Sequence, residues 1–109
     1  MIDADALSVL AALAHPTRLE VFRLLVRREP DGLSTGNLVA ATGITQSTLS
    51  THLAVLAKSG AVTSEKRGRQ MIQRANIAVL GELMLFLARD CCQGRAELCA
   101  PLVAELSCC

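Results

Sequence analysis

All five cysteines of this chain fall in its last nineteen residues, at Cys91, Cys92, Cys99, Cys108 and Cys109. Thiolates are soft donors, and a cluster of them can hold a soft ion or respond to oxidation. On an unbroken helix, Cys91 and Cys92 diverge by about 100° and cannot readily share one ion. Gln93-Gly94 follows at once, and Gly94 can end the helix and let the backbone turn. Six residues then separate Cys92 from Cys99, ample chain for a third sulfur to fold back. Three thiolates arriving from one side suit a trivalent centre with a lone pair, namely arsenite, or antimonite as its heavier analogue. Zinc would want a fourth ligand, and the usual Cys-x-x-Cys pairing is absent. Two alternatives stay open: another soft ion (cadmium, lead or zinc) with Cys108 or Cys109 joining, and redox sensing through a disulfide. Cys108 and Cys109 are left out of the expected site.

These thiols are not arranged for catalysis. A Cys-x5-Arg oxyanion loop needs an arginine six residues after a cysteine, and those positions hold Glu97, Leu98 and Glu105. There is no glycine-rich phosphate cradle and no Ser-His-acid motif of recognisable spacing. The chain reads as a binding protein, not an enzyme.

A second constellation lies in Thr45 to Gly60, TQSTLSTHLAVLAKSG. At 3.6 residues per turn, Leu49, Leu53 and Leu56 share one face. The face left over carries Gln46, Ser47, Ser50 and Thr51, with almost no charge before Lys58. A plain solvent-facing helix would carry Glu and Lys instead. Short amides and hydroxyls suit a helix that enters a DNA groove, where they reach base edges and phosphate oxygens. Thr45 is placed to cap this helix and Gly60 to stop it. Ser34 to Ala41 reads as a shorter helix capped by Ser34, and Thr42-Gly43-Ile44 as the tight connection between the two. Short helix, glycine turn, longer polar-faced helix is a helix-turn-helix.

Ala61 to Glu65 and Gln70 to Ala75 read as two strands joined by Lys66-Arg67-Gly68-Arg69, a basic hairpin suited to phosphate contact. Eleven basic and ten acidic residues leave a net charge of only +1, so total charge says nothing about nucleic acid. Its placement does. No Asp or Glu occurs between Gly32 and Ser64, and Lys58, Lys66, Arg67, Arg69 and Arg74 face only Glu65 in the stretch that follows. A local cationic patch is what phosphate binding requires, and it implies salt-sensitive affinity. With two aromatic residues in all, both Phe, base stacking is not available on any scale, which argues against a single-strand or RNA binder.

The elements that must hold these groups are legible around them. At 109 residues the chain makes one mainly α domain with a small core. Its 51% hydrophobic content leaves a surplus to bury between subunits. Asp3 to Ala14 forms a first helix with Ile2, Ala6, Leu10 and Leu13 on one stripe. His15-Pro16-Thr17 breaks it, with His15 a boundary residue. Pro16 opens a second helix to about Arg28, burying Leu19, Phe22, Leu25 and Val26. Asn76 caps a last helix, Ile77 to Cys92, which is apolar on two sides: Ile77, Leu80, Met84 and Leu87 on one, Val79, Leu83 and Phe86 on the other. Two apolar sides need two surfaces to cover them. A symmetric homodimer is expected, with the first and last helices at its interface. Residues 1–92 then form the DNA-binding and dimerisation domain and residues 93–109 a cysteine-containing tail. The acidic start Met1-Ile2-Asp3-Ala4-Asp5 is unlike a secretory signal, and the apolar run Ile77 to Ala88 is too short to span a bilayer. A cytoplasmic protein with reduced thiols and no membrane partner is expected.

The segments LAALAHPTRLEVFRLL (Leu10 to Leu25) and STLSTHLAVLAKSGAV (Ser47 to Val62), with the Arg67-Gly68-Arg69 hairpin, resemble the ArsR/SmtB family of winged-helix repressors over roughly residues 5 to 90. The resemblance implies four helices, a two-stranded wing and a fifth helix, assembled as a dimer. That dimer would sit on palindromic double-stranded operator DNA and leave when a metal or metalloid binds. Carried over, Gln46, Ser47, Thr48, Ser50, Thr51 and His52 would contact DNA, and Arg67 and Arg69 would anchor the wing. For His52, beside Leu53, packing or a phosphate contact is the alternative. The Cys-Cys-x6-Cys pattern of Cys91, Cys92 and Cys99 resembles the C-terminal arsenic site of one branch of the family, with As(III) or Sb(III) as inducer. There are departures. Where many members end the wing in Tyr-Arg-Leu, this chain has Gln73-Arg74-Ala75. The last helix has Glu82 and Asp90 but none of the histidines that the family's zinc sensors use, and Leu33 to Leu38 lacks the Cys-x-Cys of many arsenic sensors.

Overall fold

The computed structural model describes residues 1–92 together with Ala100, Pro101 and Glu105. Cys99, Cys108 and Cys109, and the segment 93–99 that begins the expected tail, lie outside the described residues. In chain order the elements are α1 (Asp3–Leu13), α2 (Pro16–Arg27), β1 (Leu33–Ser34), α3 (Thr35–Thr42), α4 (Gln46–Ser59), β2 (Val62–Arg67), β3 (Gln70–Ala75) and α5 (Ile77–Cys92). This is a winged helix-turn-helix with one strand more than the sequence suggested. No described helix is long and apolar enough to cross a membrane.

Local chemistry sets most boundaries. Pro16 occupies the first turn of α2, and the His15 Nδ1 accepts the Thr17 N–H at 3.1 Å, so His15 is indeed the cap at the break. Ser34 caps α3 by accepting the Asn37 N–H at 3.1 Å, and Gly43 closes that helix in the left-handed region at φ +72°. Gly60 does the same for α4 at φ +89°. Thr45 departs from expectation. It holds the N-cap position of α4 without a side-chain cap bond, because its hydroxyl is turned to Thr48 Oγ1 at 3.1 Å.

The core gathers Val21 and Leu25 of α2, Leu38 of α3, and Leu49, Leu53 and Leu56 of α4. Each such leucine contributes about 1.5–3 kcal/mol by leaving water. Two predicted faces are corrected. On α1 the buried side is Ala6, Val9 and Ala12, while Ile2 and Leu10 of the expected stripe are exposed. Small residues there let α1 lie close on α4. On α2, Val21 is buried and Leu19 exposed.

The sheet runs β1-β3-β2, antiparallel throughout. β2 and β3 pair from Val62↔Ala75 to Arg67↔Gln70, so the hairpin is longer than expected and its turn is only Gly68-Arg69. Gly68 takes φ +63°, the positive value a two-residue hairpin turn asks for. β1 was missed because two residues carry no periodicity. Its pairing of Leu33 with Gln73 depends on Gly32, which at φ +73° lies where a Cβ would be 2.5 Å from the Gln73 carbonyl oxygen.

Candidate nucleic-acid interface

With Leu49, Leu53 and Leu56 in the core, helix geometry turns Ser47, Thr48, Ser50 and Thr51 to solvent, and Gln46, the first residue of the helix, is exposed with them. Thr51 spends its hydroxyl proton on the Ser47 carbonyl at 3.2 Å, and Thr48 is engaged with Thr45. Gln46, Ser47 and Ser50 keep their side-chain hydrogen-bonding capacity free of any partner among the described residues. No acidic residue stands in the first turn of α4, so the positive end of its dipole is not neutralised.

His52 does not share that face. In helical projection it lies about 40° beyond Leu56, on the side away from Leu53, so it falls at the edge of the buried side and is half-buried. Its ring lies 4.7 Å from that of His15, tilted by 45°, and its Nδ1 is buried with no hydrogen-bond partner among the described residues. Burial pushes its pKa below the usual histidine range, and nearby His15 and Arg18 push it the same way. Arg18 is itself fixed by its Nε–H donating to the Ala12 carbonyl at 2.6 Å. His52 therefore packs α4 against the α1–α2 corner beside His15, which is the packing alternative weighed for it from the sequence.

On the wing, Arg69 occupies the tip. Arg67 lies in β2, ion-paired with Glu65 at 3.2 Å, both more than half exposed, a pair that salt and water hold to little net energy. Arg74 leaves the phosphate patch in which its charge was counted. It makes a two-pronged pair with Glu29, Nε at 3.2 Å and the terminal nitrogen at 2.8 Å, which raises its pKa and ties β3 to the end of α2. Of the five basic residues counted in that patch, Lys58, Lys66 and Arg69 have no side-chain partner among the described residues.

Between the wing and the helices lies a cleft of about 280 Å³, bordered by Ser34, Thr35, Gly36, Gln46, Arg69, Gln70 and Met71. It brings the first turn of α3, the first residue of α4 and the wing tip together. Thr35 and Gln70 were missed from sequence, because only the β1–β3 pairing folds α3 against the wing. Cys91 and Cys92 form the last two positions of α5. Among the described residues no three His, Cys, Asp or Glu come together to hold a metal ion, and Cys99 lies outside them.

A family profile described as a helix-turn-helix domain matches residues 13–65. An uncharacterised HTH-type regulator of Mycobacterium tuberculosis, Rv0081, is 36% identical over 73 residues, which are 66% of this chain and 61% of that protein. This chain thus matches under two thirds of that relative's length. The transcriptional activator HlyU of Vibrio cholerae is 31% identical over 84% of this chain and 82% of its own length. ArsR2 of Halobacterium salinarum, named for an arsenical resistance operon, is 37% identical over 62% of this chain and 59% of its own. An ArsR-like transcriptional regulator from Rhodococcus sp. RHA1 superposes with a TM-score of 0.72 at 30% identity, covering 89% of each chain. The chain belongs to the ArsR family of winged-helix transcriptional regulators. Within this ArsR-family fold, α4 takes the place of the recognition helix and β2–β3 that of the wing.

Proposed function

We propose that this ArsR-family chain is a homodimeric repressor that holds operator DNA with α4 and the wing. It lets go when As(III) or Sb(III) binds Cys91, Cys92 and Cys99. The observation that carries the DNA reading is the hydrogen-bonding face of α4, uncharged before Lys58, set beside a wing tipped by Arg69. Dimerisation is supported by the apolar side chains that α1 and α5 leave exposed: Ile2, Leu7, Leu10, Ile77, Met84, Leu85 and Leu87. A two-fold dimer would place its two α4 helices in successive major grooves, about 34 Å apart.

The arsenic reading rests on the donor set, three soft thiolates within nine residues, beginning where α5 ends. It is also supported by the likeness to ArsR2. Because α5 carries exposed apolar residues just upstream of Cys91, a pyramidal sulfur site there would reshape the subunit contact on which the spacing of the two α4 helices depends. Linkage then requires DNA to weaken metalloid binding by the same factor as metalloid weakens DNA binding, typically about 1–3 kcal/mol.

The test is a gel-shift titration on the gene's own upstream duplex with arsenite, antimonite, cadmium, zinc and peroxide, run on the wild type and on Cys99→Ser. Arsenite should release the wild type only, with Cys99→Ser holding DNA normally, and mass spectrometry should show arsenic added with three thiol protons lost. Release of Cys99→Ser at the wild-type arsenite concentration would remove Cys99 from the site. Release by peroxide alone would transfer the switch to disulfide chemistry.

A further inference from the structure

Gln73 is the polar residue least expected where it stands. It is only 5% exposed, in the central strand, paired with Ser64 of β2 on one side and Leu33 of β1 on the other. A buried amide is tolerated when both its ends are bonded. Here the Ser64 hydroxyl donates to Oε1, and Nε2 donates to Thr35 Oγ1 at 3.4 Å, across 38 residues of sequence. Thr35 opens α3, directly after the Ser34 cap, and also borders the cleft shared with Gln46 and Arg69. One side chain thus bridges both wing strands and the first turn of the helix-turn-helix.

We propose that Gln73 is a positioning residue for DNA binding: its amide fixes the angle of the wing against α3 and so places Arg69. The inference rests on the DNA reading above. The two-residue β1–β3 ladder holds the backbone of β3 at this same level, at Gln73 and Ile72, and the Arg74–Glu29 pair lies one residue nearer the base. Among the described residues, though, the Gln73 amide is the side-chain hydrogen bond that joins the hairpin to α3. From residue 65 to residue 71 every residue of the hairpin is exposed. Arg69 is four residues beyond Gln73, roughly 13 Å of strand, so a tilt of about 10° carries it about 2 Å. That displacement is enough to make or lose a charge-assisted hydrogen bond to a phosphate. Stability depends on Gln73 far less. Ser64 is exposed and Thr35 half-buried, so both can turn to water, and an unbranched apolar residue fits the same space.

The experiment measures affinity against salt for the full chain on its upstream duplex and on an unrelated duplex, with the wild type, Arg69→Ala, Gln73→Met and the double variant, alongside their melting temperatures. Arg69→Ala should shrink the salt slope by about one unit on both duplexes. Gln73→Met should melt within a few degrees of the wild type, lose roughly five- to tenfold in affinity on both duplexes, and show a similarly reduced slope. In the double variant the second change should add little. An unchanged slope in Gln73→Met, or losses that multiply in the double variant, would overturn the bridge while leaving the DNA reading intact. A wild type that binds neither duplex would overturn both. Should Gln73→Met not fold, Thr35→Val combined with Ser64→Ala removes the two partners and is judged by the same slope and coupling.

Discussion

α4 and α5 are both helices with one side in the core, and they differ in what they leave outside. α4 buries Leu49, Leu53 and Leu56 and presents amide and hydroxyl groups. α5 turns Leu83 inward, with Val79, Leu80 and Phe86 half-covered, and presents Ile77, Met84, Leu85 and Leu87. The inward faces are nearly interchangeable in chemistry, so they identify no partner. The outward faces do: hydrogen-bonding groups match the edges of bases, and aliphatic groups match a second apolar surface. The same contrast separates the two roles proposed for the molecule, reading DNA and pairing with its copy.

The strongest way to break this division is a charge on the α5 face. Leu85, 61% exposed, should cost the monomer little when changed to Glu. In a two-fold interface it would bury two carboxylates, weakening the dimer roughly a hundredfold or more. Sedimentation should then give monomer with unchanged circular dichroism, and a Leu85→Glu chain that still dimerises would remove α5 from the interface. The matching change on α4, Ser50→Glu, should leave dimer and melting temperature alone and cost roughly tenfold or more in DNA affinity by repulsion from phosphates. Normal binding by Ser50→Glu would take Ser50 out of the groove.

The smallest effect concerns the seam of α4. The folded pKa of His52 lies below its unfolded value, so the folded protein binds fewer protons there, and stability rises with pH. That share of stability is complete above the unfolded pKa, about 6.5, and is lost as pH falls through the folded value. The melting temperature should drop on acidification through that window, and His52→Gln should flatten the drop. An equal drop in His52→Gln would assign the acid sensitivity elsewhere.

What the sequence disclosed depended on how local the cause was. The leucine spacing of α4 and the stops at Gly43 and Gly60 are decided within a few residues, and they could be read directly. The buried side of α1 could not, since Leu7, Leu10 and Leu13 alternate with Ala6, Val9 and Ala12 and only the neighbour's shape selects the small residues. β1, the Gln73 bridge and the removal of Arg74 from the phosphate patch by Glu29 all join residues 38 to 45 apart, a distance at which a single sequence carries no signal. His52 was left between DNA contact and packing by the sequence because its position lies on the boundary between the two sides of its helix.

The absence of fixed charge along the outward side of α4 before Lys58 has a consequence for discrimination. Ions compete with Lys58 and with Lys66 and Arg69 of the wing, whereas a glutamine or serine bonded to a base edge displaces no counterions. Raising ionic strength should therefore erode attachment to arbitrary duplex faster than attachment to the correct site. The protein would become choosier as its overall hold loosens.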